Sequence, residues 1–162
     1  AVVLSAEEGE SGVLSCHTHS DGRQWEVLYA GSPLPQSPFE TGLKDEPWTV
    51  SMNGNETFKI AVRTMGQAIK EVLDDTGIKP EDIALLIPHQ ANLRIIDATR
   101  ERLGLPEDRV FTNLDRFGNT SAGSIPLALD QAVEQGRVKD GDIVLFVAFG
   151  GGLTWASAAI KW

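Results

Sequence analysis

The sequence predicts an α/β protein with a mixed, mostly parallel sheet and helices on its faces. Two apolar runs, at residues 83–87 and 143–149, have the length and composition of buried strands. Residues 56–76 instead carry apolar side chains at spacings of three and four, which is typical of an amphipathic helix. Because predicted strands and helices alternate along most of the chain, parallel pairing with helical crossovers is the expected arrangement.

The first third of the chain predicts a strand hairpin followed by a long loop. Residues 1–5 and 12–20 have the composition of strands and flank an acidic turn that contains glycine. Residues 30–55 hold four prolines and show no sustained period, so they predict a long loop or an insertion. The chain begins in mid-strand without a polar leader, and Ala1 is therefore interpreted as an internal position of a longer chain.

Helices and strands alternate in the rest of the chain. Asn55 is the predicted N-cap of the helix over residues 56–76, and Gly77 is the predicted residue at its end. The remaining elements follow in this order: a strand at 83–87, a helix at 92–103 closed by Gly104, a short strand at 110–112, a helix from about 121 to 135, and strands at 143–149 and 153–160.

Composition and charge exclude several classes of protein. The formal net charge of -9 at pH 7 argues against a nucleic-acid-binding protein, which would normally carry a basic surface. No apolar run approaches the length of a membrane span. The single cysteine, Cys16, leaves no disulfide framework and fits a reducing compartment. We therefore expect a cytoplasmic protein that binds neither nucleic acid nor membrane.

Three polar or glycine-rich segments, at residues 89–92, 117–124 and 150–152, each follow a predicted strand. The carboxyl ends of parallel strands share one edge of a sheet, so we expect these segments to converge there. A neutral imidazole, an amide side chain and glycine N–H groups are all donors that suit the stabilisation of a developing oxyanion. Each segment also has a structural interpretation, as a turn, a helix cap or a flexible corner. No nucleophile with an adjacent base is evident, so the set predicts half of an active site.

Cys16 and two histidines lie in the second predicted strand. Cys16 is interpreted as a structural thiol, because it lacks the helix N-terminus that would lower its pKa and because free cysteines are commonly buried. His17 and His19 share one strand face and could act as metal ligands, but no third ligand is evident nearby. The sequence therefore predicts no metal site.

Four long motifs carry a resemblance to a known family: IPHQANLRII, LDRFGNTSAGSIPLALDQAV, FVAFGGGLTWASA and SMNGNETFKIAV. Together they resemble the carboxyl-terminal half of the β-ketoacyl-acyl-carrier-protein synthase III family, which has a thiolase-like fold. The resemblance implies one half of that fold, with residues 1–29 as the end of the preceding half, 30–55 as the proline-rich loop and 56–162 as the carboxyl-terminal half. It also implies an acyltransferase that condenses an acyl-CoA, such as acetyl-CoA, with malonyl-acyl carrier protein to start fatty-acid synthesis.

The family's functional residues transfer onto matching positions of this sequence. By similarity, His89 and Asn119 stabilise the malonyl-derived enolate, and Gly151 supplies an N–H to the oxyanion hole. The positions similar to those that bind CoA or pantetheine are Gly54, Asn55, Ala91 and Asn92. The positions similar to those of the basic surface that binds the carrier protein are Lys59, Arg94 and Arg102.

The resemblance also implies partners. The nucleophilic cysteine of the family lies in an amino-terminal half that this sequence lacks, so that half is an expected partner. Acyl-CoA and acyl carrier protein are expected as substrates, a homodimer is the expected assembly, and no resident cofactor is expected. Two alternatives stay open: an orphan half that binds CoA or carrier protein without turnover, and a related chalcone-synthase-like, polyketide-priming or quinolone-priming enzyme.

The acidic net charge makes the predicted docking of an acidic carrier protein depend on local charge. Arg94, Arg100 and Arg102 lie around one short helix, with Asp97 and Glu101 between them. Because salt screens charges beyond about 8–10 Å, a local basic surface outweighs distant acidic residues. The alternative interpretation is a solvated helix face of mixed charge.

Overall fold

The computed structural model describes residues 2–6, 8–30 and 49–162. Within them, four strands form one sheet in the order β1-β6-β5-β4. These strands are β1 (Gly12–Ser20), β4 (Ile83–Pro88), β5 (Ile143–Gly150) and β6 (Thr154–Lys161). A second, two-stranded sheet pairs β2 (Leu28–Ala30) with β3 (Val50–Met52). The predicted loop at 30–55 therefore contains a strand, and its residues 31–48 lie outside the described part of the chain.

The sheet is mixed and carries helices on both faces, which confirms the predicted α/β class. The prediction of mostly parallel pairing is wrong for the described strands. Only β4 and β5 pair in parallel as strands, whereas β5 with β6 and β6 with β1 are antiparallel. The physical reason is the short connection between β5 and β6, because a tight turn can join only antiparallel neighbours.

The predicted hairpin of residues 1–5 with 12–20 does not form. Residues 2–5 adopt no strand, and Ala1 lies outside the described residues. β1 pairs instead with β6, from Gly12 opposite Lys161 to Ser20 opposite Thr154. β6 pairs with β1 along the whole length of β1. The five-residue segment at 1–5 is too short to form an antiparallel ladder of that length.

Helix α1 (Gly54–Thr76) begins two residues before its predicted start. Its N-cap is Asn53 rather than Asn55, because the Asn53 Oδ1 accepts a hydrogen bond from the Glu56 N–H at 3.2 Å. Asn55 lies inside the first turn and is exposed. At the other end Gly77 adopts a left-handed conformation with φ of 71°, as predicted, and its N–H donates to the Leu73 carbonyl.

The remaining helices follow the predicted order with local differences. α2 (Leu93–Leu103) begins after Asn92, whose Oδ1 accepts from the Arg94 N–H at 2.9 Å, and ends at Gly104. The predicted strand at 110–112 is reduced to one parallel bridge between Val110 and Leu86. The predicted helix at 121–135 divides into a 3-10 turn, Ser121–Gly123, and α4 (Ser124–Glu134), and a short additional helix, α3, covers Leu114–Phe117.

Alternate side chains of β4 and β5 pack into two separate apolar cores, one on each face of the sheet. On one face, α1 and α2 pack against a cluster that includes Leu86, Leu145 and Val147. On the other face, Ala128 and Ala132 of α4 pack with a second cluster that includes Leu85, Ile87 and Val144. This alternation is the period of two expected of strands buried on both faces.

Parts of β1 and of α4 carry exposed apolar side chains. Val13 and Leu14 of β1 are 58% and 42% exposed, and Leu127 and Val133 of α4 are also exposed. An uncovered apolar face is what the resemblance to one half of a two-half fold predicts. None of the helices in the described ranges is long and apolar enough to span a membrane.

Candidate active site

A cavity of about 1000 Å³ opens at the carboxyl ends of β4 and β5. Each of the three predicted polar segments contributes to its wall, through His89, Asn119 and Gly151 among other residues. The two-stranded sheet and the start of α1 line another part of it, including Leu28, Met52, Gly54 and Phe58. The predicted convergence of the three segments on one edge of the sheet is therefore found in the structure.

His89 follows β4 directly and is held at both its backbone and its ring. Its backbone N–H donates to the Val147 carbonyl at 2.8 Å, which extends the pairing of β4 with β5 by one residue. Its Nδ1 lies 2.6 Å from the Ser124 Oγ at the start of α4. Its Nε2 makes no hydrogen bond to any described residue. Burial lowers the pKa of the His89 imidazole, so the neutral ring is favoured near neutral pH.

Gln90 fixes the chain on the side of His89 that faces the protein interior. Its side chain is fully buried, and its Nε2 donates to the Pro88 and Phe111 carbonyls at 2.8 and 3.2 Å. Its Oε1 accepts from the Asn113 N–H at 3.0 Å. A buried amide with all its polar atoms paired is rigid, so Gln90 ties the end of β4 to the segment that leads toward Asn119. This role was not predicted from the sequence; the signal for it was an amide directly after a buried strand.

Asn119 lies in the loop between α3 and α4. Its Oδ1 accepts a hydrogen bond from the Ser121 N–H at 3.0 Å. Ser121 adopts a left-handed conformation with φ of 51°, which is uncommon for a residue other than glycine and bends the loop back toward Asn119. With Oδ1 occupied, the Nδ2 amide is the donor that remains for a ligand. Asn119 and His89 thus bring two potential donors to the same cavity.

Gly151 lies in the turn between β5 and β6, at the wall of the cavity. A Cβ at this position would approach the Leu28 carbonyl oxygen to 3.2 Å and the Leu28 Cγ to 3.7 Å. The turn is also fixed by a reciprocal backbone pair, since the Asp21 N–H donates to Leu153 and the Leu153 N–H donates to Asp21. A side chain at this position would crowd the Leu28 backbone, so glycine suits the close packing here, whatever its N–H binds.

The predicted pantetheine positions divide between the cavity and its surroundings. Gly54, Ala91 and Asn92 line the cavity, whereas Asn55 is not among the lining residues. Asn92 uses its Oδ1 to cap α2, so only its Nδ2 is free of that task.

The predicted basic residues do not form one continuous surface. The Arg94 guanidinium lies 5.5 Å from the ring centroid of Phe58, a lining residue, and the Lys59 Nζ lies 3.5 Å from Glu56 at the start of α1. Arg102 is eight residues further along α2, about 12 Å away along the helix axis. Its Nη1 donates to the Val62 carbonyl at 3.3 Å, and its side chain lies against Gly66, beside a separate cavity of about 750 Å³.

Cys16 differs from its predicted burial, whereas His17 and His19 share one face of β1, as predicted. Cys16 is exposed rather than buried, and by strand alternation it lies on the opposite face of β1 from His17 and His19. His17 lies 3.5 Å from Asp75, and the His19 Nε2 lies 2.6 Å from Glu71, so both imidazoles contact carboxylates of α1. No group of three or more metal-ligating side chains occurs among the described residues. His19 also stacks on Trp155 and, with it, lines the main cavity, a placement that the sequence did not predict.

The fold defines the class of the protein as thiolase-like. The structure of 3-oxoacyl-[acyl-carrier-protein] synthase III from Aquifex aeolicus VF5 superposes on it with a TM-score of 0.87, at 41% identity, over 98% of this chain and 47% of that chain. The sequence model of the family described as 3-Oxoacyl-[acyl-carrier-protein (ACP)] synthase III C terminal matches residues 73–162. The chain belongs to this family.

Two further relatives show the range of the similarity. The chain is 51% identical over 167 residues to the Beta-ketoacyl-[acyl-carrier-protein] synthase III of Roseiflexus sp. (strain RS-1). The priming β-ketosynthase from the R1128 polyketide biosynthetic pathway has a TM-score of 0.80 at 35% identity, over 92% of this chain and 44% of that chain. The alignment with the Roseiflexus protein covers all of this chain and 50% of the relative, so the chain spans about half the length of the curated relatives it matches.

Proposed function

We propose that this chain is the carboxyl-terminal half of a β-ketoacyl-acyl-carrier-protein synthase III that joins an acyl-CoA primer to malonyl-acyl carrier protein in the cytoplasm. The observation that carries the proposal is the meeting of His89, Asn119 and Gly151 at one cavity. An amino-terminal half supplies the cysteine nucleophile, and we refer to both halves together as the complete synthase. By the same family resemblance, the complete synthase works as a homodimer without a resident cofactor.

In the proposed reaction, the primer first acylates the cysteine and CoA leaves. The bond between the malonyl Cα and its carboxylate then breaks, CO₂ departs, and the electron pair forms an enolate of the carrier thioester. N–H groups of His89 and Asn119 donate to the enolate oxygen as its negative charge develops. Donors placed for a developing charge typically contribute about 10²–10³-fold each to the rate.

The enolate carbon then attacks the carbonyl carbon of the acyl-cysteine. The N–H of Gly151 stabilises the tetrahedral oxyanion, and collapse of this intermediate expels the cysteine thiolate and leaves a β-ketoacyl thioester on the carrier protein. The close packing of Gly151 on Leu28 supports this role, because a fixed turn presents its N–H without further ordering.

The neutral state of His89 supports its role in the decarboxylation step. An imidazolium would attract the malonyl carboxylate and hold it ionised in place, whereas a neutral ring donates one N–H without binding the group that must leave. Burial lowers the pKa of His89 and so keeps the ring neutral at working pH.

Substrate thioesters enter, in this proposal, along the wall that contains Gly54, Ala91 and Asn92. Asn55, on the exposed first turn of α1, extends this path at its outer end. The acidic carrier protein binds outside the same opening, where Lys59 and Arg94 lie near the start of α1. Arg102 belongs to the proposed surface only at its far edge.

The experiment that tests this function replaces His89 by Ala in the complete synthase and measures two partial reactions. We expect malonyl decarboxylation to fall by about 10²-fold or more, because one enolate donor is lost. Transfer of the acyl group from acyl-CoA to the cysteine should stay within about twofold. His17→Ala is the matched control, because His17 lies outside the cavity lining and should leave both reactions unchanged.

Equal loss of both partial reactions in His89→Ala would contradict the assigned role. Retention of decarboxylation at the wild-type rate would contradict the proposed function altogether. An orphan half that only binds would show neither reaction, even in wild-type form with the amino-terminal half present.

A second candidate function is the priming of polyketide synthesis. The similarity to the R1128 priming β-ketosynthase favours it, since the fold and about a third of the aligned residues are shared. The chemistry at His89 and Asn119 would be the same, and the two functions differ in the acyl group accepted. A competition assay among acyl-CoA primers, read as relative kcat/KM, distinguishes them.

A further inference from the structure

Ser124 is the buried partner of the His89 ring. It is the first residue of α4, and only 2% of it is exposed. Its Oγ lies 2.6 Å from the His89 Nδ1 and accepts a hydrogen bond from the Gln90 N–H at 3.3 Å. These are its only side-chain hydrogen bonds to described residues.

These two contacts determine whether Ser124 or His89 donates the hydrogen bond between them. A serine hydroxyl has one hydrogen and two lone pairs. If the His89 Nδ1 carried a proton, the Oγ would accept from both Nδ1 and Gln90, and its own hydrogen would be buried without an acceptor. If the hydroxyl instead donates to Nδ1, every polar atom of the group is paired. Buried polar groups are nearly always paired, so the second arrangement is the stable one.

We infer that Ser124 is a positioning residue that holds His89 in the tautomer with its proton on Nε2. Nδ1 is then the acceptor for Ser124, and the proton is kept on the nitrogen that remains for a ligand. The ring in this state can donate at the substrate carbonyl, whereas the opposite tautomer would present a lone pair to the developing oxyanion and repel it. This inference rests on the proposed function for its catalytic consequence, although the tautomer itself does not depend on it.

A positioning role for Ser124 differs from a purely structural one in its effect on the His89 ring. A structural serine would affect stability without affecting the ring protons of His89. Ser157 offers the comparison, because it is also 2% exposed and its Oγ donates to the Ala68 carbonyl at 2.7 Å, outside the cavity lining.

The test is nitrogen NMR of the complete synthase labelled with ¹⁵N-histidine, with His89→Gln used to assign the His89 signals. At neutral pH we expect the wild-type Nε2 to show the shift of a protonated ring nitrogen and Nδ1 that of an unprotonated one. This measurement needs no serine variant, so it holds even if such a variant fails to fold. A proton on Nδ1 in the wild type would overturn the inference.

Variants then test the consequence. In Ser124→Ala we expect a mixture of tautomers, and kcat for malonyl decarboxylation lower by about tenfold, as for the loss of one hydrogen bond. The KM for malonyl-acyl carrier protein should change little, and Ser124→Thr, which keeps the hydroxyl, should recover both readouts. Ser157→Ala should leave the tautomer and the decarboxylation rate unchanged.

An unchanged tautomer and an unchanged decarboxylation rate in Ser124→Ala would also overturn the inference. A mixed tautomer with an unchanged rate would overturn its catalytic part. Failure of the proposed function is a different result, because there His89→Ala itself would leave decarboxylation intact whatever the state of the ring.

Discussion

The imidazole of His89 shows how one residue obtains its state from several neighbours. Its backbone belongs to the sheet through Val147, its Nδ1 contacts the hydroxyl of Ser124, and its burial disfavours the charged ring. The two hydrogen-bond partners belong to different elements, β5 and α4, and both lie more than 30 residues from His89 along the chain. The sequence motif therefore identifies His89 as a site residue, whereas residues distant in sequence determine the protonation state and orientation of its ring.

The lowered pKa of His89 predicts a pH dependence of stability. An unfolded histidine titrates near 6.5, and the folded ring titrates below that value. As pH falls below about 6.5, the unfolded state takes up a proton before the folded state does, so the free energy of unfolding decreases. We expect an NMR titration of the His89 ring to give a midpoint below 6.5, and His89→Gln to lose this part of the acid destabilisation. A midpoint at or above 6.5 would contradict the prediction.

The sequence predicted the residues that line the site better than the residues that hold them in position. His89 and Asn119 were predicted because polar residues after buried strands meet at one edge, and both line the cavity. Their roles in catalysis stay predictions. Ser124 was not predicted, because its partner His89 lies 35 residues away along the chain. Gln90 was not predicted either, because an amide after a buried strand does not indicate the contacts with Phe111 and Asn113 that it makes. Arg102 matched a family position, but its side chain turns toward Val62 and Gly66.

At the scale of elements, helix termini depend on how the chain enters the helix. Two asparagines flank Gly54, and either fits the sequence pattern of an N-cap. The chain arrives from β3, and the Asn53 N–H donates to the Val27 carbonyl at 2.9 Å, which places Asn53 at the cap. The amphipathic spacing of α1 was predicted well, because one of its faces packs on the sheet over many turns.

A pair of alanine substitutions tests this cap. We expect Asn53→Ala to lower the free energy of unfolding by about 1 kcal/mol, the usual loss for an N-cap side chain. Asn55→Ala is the matched control, because its exposed side chain should change stability by less than about 0.5 kcal/mol. Urea unfolding of the wild type and both variants measures the difference. A larger loss in Asn55→Ala than in Asn53→Ala would contradict the assigned cap.

Strand pairing was the weakest prediction among the elements. A local pattern identifies β1 and β6 as strands, but the register between them joins residues almost 150 positions apart. No periodicity in either segment names its partner. The parallel pairing of β4 with β5 was predictable, because helices separate these strands along the chain and favour a crossover connection.

At the scale of the whole molecule, the net charge has the same sign as that of the acidic carrier protein expected as a substrate. The net charge of -9 repels an acidic carrier protein at long range. Salt screens this repulsion over about 8–10 Å, so residues at the cavity opening dominate the encounter. Arg94 contacts the lining residue Phe58, and Lys59 follows Phe58 in α1.

Charge reversal at two arginines of α2 tests this view. We expect Arg94→Glu in the complete synthase to raise the KM for malonyl-acyl carrier protein by about tenfold at low salt, with a smaller effect at high salt. Arg102→Glu makes the same change in net charge at the far end of α2 and should raise it less. Steady-state kinetics at two salt concentrations separate the variants, and equal effects would show that only total charge matters.

The apolar wall of the cavity and its polar donors come from different parts of the molecule. His89 and Asn119 are oriented from the side of α4, through Ser124 and Ser121. Leu28, Val50 and Met52, on the two-stranded sheet, line the cavity without contributing to that orientation. Exchange of Val50 or Met52 should therefore change the shape of the cavity wall while His89 and Asn119 stay in place, whereas Leu28 also packs on Gly151.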